Sequence, residues 1–136
     1  ILGSWLGAVV AYLIMNIDLT SVLQHRSLND CLALNSGFAY YSLSSIFITE
    51  YRGAELGTIA LLANIIREMT TLLLTPLLAK WFGPLAPIST GGATTMDTTL
   101  PIITQTIGQR YVALSIYHGF VTDFSVPFLV TMWCML

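Results

Sequence analysis

The sequence predicts an all-α integral membrane protein with about five membrane-embedded segments, two of them discontinuous, and three observations carry that prediction. Hydrophobic residues make up 55% of the 136-residue chain and charged residues 9%, against roughly 25% charged in an ordinary soluble domain. The mean hydropathy is +0.77. Charged side chains fall between apolar runs of near-span length, and Gly, Ser and Pro break two of those runs. Five Lys/Arg and seven Asp/Glu cannot cover a water-soluble chain of this size. A soluble monomer is therefore excluded. A net charge of −2 and a pI near 5.4 leave no basic footprint, so nucleic acid is excluded as a partner. The lipid bilayer is the partner this composition suits. Cys31 and Cys134 lie far apart in apolar stretches, which offers neither a disulfide framework nor a C-x-x-C site, and no cofactor is implied.

A membrane helix needs about 20 mostly apolar residues. Residues 1–23 give the first segment, closed by Asn16 and Asp18, with Gly3 and Gly7 as a small-xxx-small packing pair. Residues 31–49 give the second, interrupted by Asn35-Ser36-Gly37. Residues 56–79 give the third, 86–108 the fourth and 111–135 the fifth. Pro76 and Pro127 are candidate kinks in the third and fifth. The fourth is interrupted twice, by Ser89-Thr90-Gly91-Gly92 and by Pro101. Non-helical backbone at membrane depth is tolerated only where protein or a water-filled cavity satisfies its amides. Two interrupted segments facing one interior are the pattern of a transporter site, and suggest half of an inverted-repeat-type carrier. Residues 1–136 read as a single transmembrane transport domain. Arg26, Arg52, Lys80 and Arg110 fall one per connection, so no positive-inside asymmetry orients the chain. The first segment lacks the basic start and cleavage site of a secretory signal. A start at Ile1 rather than Met predicts a trimmed or processed N-terminus.

Charges at membrane depth each demand an account, since a central charge costs about 3 kcal/mol to insert. Asp97 lies among Gly91, Gly92, Thr94, Thr95, Thr98 and Thr99. A half-helix starting near Thr94 or Thr95 would aim its positive dipole end at a carboxylate, while freed carbonyls and Asp97 suit an ammonium group. The plainer alternative is a capping threonine with Asp97 in the first turn. Asn64, Arg67/Glu68, Thr71 and Thr75 recur at helical spacing and draw a polar stripe. That stripe is either a permeation wall, with Arg67 balancing a carboxylate such as Asp97, or an ion pair that locks helices. Tyr111, Ser115, His118, Thr122 and Ser125 share one face of the fifth segment, with Asp123 one residue off it. His118 suits either a proton relay or a hydrogen-bonded packing role. Ser36, Gly37, Tyr41 and Ser42 form a hydroxyl-rich strip beside the second segment's break.

Three stretches, Asn35–Ser44, Leu61–Glu68 and Gly91–Pro101, together with Tyr117-His118-Gly119-Phe120, resemble the lysine exporter family LysO. The resemblance runs from about Leu32 to Pro127, and the Gly-Gly-Ala-Thr-x-Met-Asp-x-Thr-Leu-Pro stretch is its most specific part. It implies multi-pass residence in a bacterial cytoplasmic (inner) membrane and export of L-lysine, with Asp97 as the transport carboxylate and Arg67 with Glu68 as an embedded pair. Coupling to a cation, H+ or Na+, in antiport follows from that reading. Family members are longer, and this chain resembles their C-terminal part. A subunit supplying the N-terminal half, or a homo-oligomer, is therefore an expected partner. A non-transporting subunit that scaffolds a partner carrier is the alternative. The chain carries no G-x-x-x-x-G-K-[ST] motif for ATP and no recognisable catalytic triad, so it is not expected to be an enzyme.

Overall fold

The computed structural model describes residues 2–16 and 27–136, and these are helical with no strand among them. Asp18 and Arg26, read as punctuation after the first segment, lie outside the described residues. Helix α1 (Leu2–Asn16) packs on α2 (Leu28–Asn35). A capping box opens α2: Ser27 Oγ accepts from the Asp30 amide, and Asp30 Oδ2 accepts from the Ser27 amide, each at 3.1 Å. This satisfies two amides that a helix start otherwise leaves bare.

A four-residue turn, 36–39, separates α2 from α3 (Tyr41–Arg52). Gly53 (φ 96°) then reverses the chain into α4 (Ala54–Phe82). The α3–α4 hairpin is close because Gly57 carries no side chain; a Cβ there would overlap the Thr49 hydroxyl. At 1.5 Å per residue α4 is roughly 43 Å long, more than the hydrocarbon thickness of a bilayer. Among the described residues, it and the stretch Gln109–Met135 are the two helices long and apolar enough to cross a membrane. Pro76 and Pro127 both lie inside unbroken helices.

Residues 86–107 form no continuous rod. Short helix α5 (Ala86–Gly91) passes into a 3-10 turn (Gly92–Met96), and α6 (Leu100–Ile107) starts afresh. The sequence placed the new helix start near Thr94 or Thr95, whereas α6 begins at Leu100. Pro101 is the reason: its ring fits a helix's first turn and lacks the amide an interior position must donate. Pro101 opens the helix rather than interrupting it. A second 3-10 turn (Gln109–Tyr111) leads into α7 (Val112–Met135).

Two kinds of interior result. Ala33, Phe38, Ile48, Leu56, Ala60, Val126, Val130 and Cys134 form an apolar cluster. Ser36, Ser44, Asn64, Thr71, Thr75, Thr94, Thr95, Thr99, Ser115 and Thr122 are buried polar residues. Large apolar side chains point the other way: Leu73 is 71% exposed while Thr71 and Thr75 are fully covered. Small polar groups inside and bulky apolar groups outside suit lipid as the surrounding solvent.

Candidate functional site where two broken segments meet

The turn 36–39 takes its left-handed backbone at two residues other than its glycine. Phe38 (φ 45°) and Ala39 (φ 69°) adopt left-handed backbone, which costs an L-residue about 1–2 kcal/mol. Asn64 of α4 offsets that cost. Its Oδ1 accepts the Ala39 amide at 2.8 Å, and its Nδ2 donates to Ser44 Oγ at 3.3 Å and to the Ala60 carbonyl at 2.9 Å. Gly37 is needed for space, since a Cβ there would collide with the Asn64 amide. Ser36 is buried, donating to the Leu32 carbonyl at 2.8 Å and accepting from the Trp5 indole at 3.0 Å.

The second turn docks on the first. The Ala93 amide donates to the Phe38 carbonyl at 2.9 Å, and Gly92 (φ 63°) lies against that same carbonyl so closely that a Cβ would overlap it. Hydroxyls then satisfy the 3-10 turn from within. Thr94 Oγ1 donates to the Gly91 carbonyl at 2.9 Å and lies 3.4 Å from Thr99 Oγ1. Thr95 Oγ1 lies 2.8 Å from the Gly92 carbonyl, 3.0 Å from the Ser115 carbonyl and 3.2 Å from His118 Nδ1. Carbonyls only accept, so Thr95 Oγ1 donates to them, and His118 Nδ1 faces that same hydroxyl as donor or acceptor according to the tautomer of its ring. Ser115 Oγ returns a bond to the Thr95 carbonyl at 2.8 Å, and Gly119 leaves room for the Met96 backbone.

A cavity of about 1130 Å³ opens beside this junction. Its walls are Leu2, Gly3 and Gly7 of α1; Leu34, Asn35 and Phe38 at the first break; Ala63, Asn64, Ile66 and Arg67 of α4; Ser89, Thr90 and Gly92 at the second break; and Leu114, Tyr117, His118, Val121 and Thr122 of α7. Gly3 and Gly7, read as a packing pair, face this space with nothing within 4 Å of where their Cβ atoms would be. Arg67 is half-buried; its Nε donates to the Thr90 carbonyl at 3.0 Å, and its guanidinium carbon stands 5.4 Å from the Phe38 ring centroid.

Of the residues singled out in the sequence, Asn35, Asn64, Arg67, Gly92, His118 and Thr122, with Gly3 and Gly7, converge on the cavity. Gly91, Thr94, Thr95, Ser36 and Gly37 are buried in the two turns behind it. Tyr41 and Ser42 are exposed and Glu68 half-buried, and none of the three lines the cavity. Asp97 and Thr98 are also exposed outside it; Asp97 Oδ1 accepts from the Thr98 amide at 2.6 Å and from the Thr98 hydroxyl at 3.4 Å. The expected pairing of Arg67 with Asp97 is not formed; Arg52 instead pairs with Asp30 at 3.5 Å. Sequence reasoning passed over Phe38, Ser89 and the Thr90 carbonyl as wall groups. The Ser-Thr-Gly-Gly string carried a signal for the latter two; Phe38 carried none.

The family profile described as "Lysine exporter LysO" matches residues 1–134. The chain belongs to the lysine exporter LysO family. The match extends beyond the Leu32–Pro127 stretch that carried the resemblance, taking in α1. The chain is 39% identical over 103 residues to the lysine exporter LysO of Escherichia coli, a match covering 76% of this chain and 34% of that protein. It is 34% identical over 129 residues to a Haemophilus influenzae protein named "Putative lysine exporter", covering 95% of this chain and 61% of that one. The chain therefore spans about a third of one curated LysO-family relative and 61% of the other. No solved structure matches it.

Proposed function

We propose that this chain is the transport unit, or the site-bearing part of one, in a bacterial secondary carrier that exports L-lysine by antiport with H+ or Na+. On this reading residues 1–136 are one transmembrane domain of a multi-pass inner-membrane protein. Its five embedded segments are α1, the broken pair α2–α3, α4, the broken run α5–α6, and α7, making half of an inverted-repeat architecture. The observation that carries the reading is the contact between the two breaks: the Phe38 carbonyl accepts the Ala93 amide beside a cavity walled by Asn64, Arg67 and His118. Interrupted helices meeting at a polar cavity are the construction by which carriers present backbone and side-chain groups to a solute. Membership of a family named for lysine export supports the substrate.

Asp97 serves here as the carboxylate that meets the cation. It is exposed at the end of the 3-10 turn, bonded only within its own turn, and faces no described cation. Because it lies outside the cavity wall, the cation would reach it through space bounded by a second half or another copy of the chain. The companion reading, a subunit that completes a partner carrier, rests on that same exposure and on the share of its relatives this chain spans. Lysine efflux from cells expressing the chain, alone and with a co-expressed second half, tests both. Asp97→Asn is expected to abolish efflux while the protein stays in the membrane at wild-type level. Undiminished efflux from that variant removes Asp97 from the mechanism; efflux from the chain alone removes the need for a second half.

A further inference from the structure

Arg67 sits at the midpoint of α4 (Ala54–Phe82), where a membrane-spanning helix is deepest and an uncompensated cation is most costly. Its Nε is occupied by the Thr90 carbonyl at 3.0 Å, and the Phe38 ring covers one guanidinium face at 5.4 Å. Both contacts fix the plane of the group; neither neutralises it. Among the described residues no carboxylate lies within ion-pair distance of Arg67, although it lines the cavity. A guanidinium has five N–H donors. With Nε taken, the end-on edge formed by Nη1 and Nη2 remains, and two parallel donors on one edge match the two oxygens of a carboxylate. A phosphate would call for more positive charge than one arginine; a planar monoanion needs no more.

We infer that the cavity recognises its solute by an α-carboxylate bound end-on to Arg67. The inference rests on the transport reading above and assigns the end of the amino acid that reading leaves open. It also orients a lysine: the ε-ammonium, repelled by Arg67, is directed away from this wall. Thr90 and Phe38 are positioning groups, holding the guanidinium in the one plane that suits the ligand.

The test is equilibrium binding of radiolabelled L-lysine to the purified chain in lipid nanodiscs, with competition by L-norleucine, which keeps the head group, and by cadaverine, which has both amines and no carboxylate. L-norleucine is expected to displace lysine and cadaverine is not. Arg67→Gln should weaken lysine binding about 30-fold or more, as loss of one partner from a desolvated charge pair does. Arg67→Lys, which keeps the charge without the planar fork, should fall between the two. Thermal unfolding of each unliganded variant separates lost binding from lost folding, and the competition arms need no variant. Displacement by cadaverine as effective as by L-norleucine, or wild-type affinity in a folded Arg67→Gln, overturns the inference while leaving lysine export standing. Arg67-dependent L-norleucine binding, measured by calorimetry, in a chain that exports no lysine upholds it and removes the export reading. No binding by any of the three probes overturns it.

Discussion

Asn64 shows how much one side chain carries where a helix is broken. Its carbonyl takes the Ala39 amide and its NH2 bridges Ser44 and Ala60, so it stands in for the helical bonds the turn 36–39 gives up. Asn64→Leu strands a buried N–H and is expected to cost about 1–3 kcal/mol, read as a lower melting temperature in detergent. Asn64→Asp keeps the acceptor and should cost less; equal losses would mean that the NH2 bonds to Ser44 and Ala60, not the Ala39 bond, matter. Gly92→Ala is expected to lower stability by about 1–3 kcal/mol in the same assay, because the new methyl meets the Phe38 carbonyl in left-handed backbone. At this scale the sequence was half legible. The polarity of Asn64, Arg67, Thr94 and Thr95 marked them as interior residues, since lipid tolerates none of them cheaply. Which faced the cavity and which stayed behind it depends on the crossing of two distant turns, and no local spacing encodes that. Phe38 and Ala39 illustrate the limit: their left-handed backbone sits one and two places after the glycine that seemed to mark the bend.

Helix ends account for what the sequence placed well and badly. The breaks at Asn35-Ser36-Gly37 and Gly91-Gly92 were legible because propensity fails there for intrinsic reasons. The start of α6 was misplaced by several residues: Pro101 sets the start, and hydroxyl-to-carbonyl bonds from Thr94 and Thr95 hold the 3-10 turn before it. The far end of α7 has a cap that no sequence pattern announced. Arg52 Nε donates to the Cys134 carbonyl at 3.1 Å and Nη2 to the Trp133 carbonyl at 3.4 Å, a cation placed on the negative end of the helix dipole. Asp30, in the capping box of α2, holds the same guanidinium. Arg52→Gln is expected to speed amide exchange in the last turn of α7 while costing only about 1 kcal/mol overall, the group being partly exposed. Unchanged exchange at residues 132–135 would show that the last turn needs no cap from α3.

For the whole molecule, the inside-out distribution of side chains sets the solvent. Leu62, Leu73 and Trp81 on α4, and Phe120, Phe124 and Phe128 on α7, are exposed, while hydroxyls fill the contacts beneath. Leu73→Lys puts a charge on that outer face and should reduce carbonate-resistant membrane retention, an insertion cost of about 3 kcal/mol. Thr75→Val, on the buried side, gives up one hydrogen bond to the Thr71 carbonyl and should leave retention unchanged. Equal effects from the two would mean that α4 does not face lipid. Composition alone made this level of organisation readable; the cavity was not, because five separate stretches of chain wall it.

The bond between the Ala93 amide and the Phe38 carbonyl ties the two irregular turns back to back, with Gly92 filling the remaining gap. Such a joint has no slack. Asn64 of α4 and Ser115 of α7 are hydrogen-bonded to the same two turns, so a displacement of either turn has to carry both long rods with it.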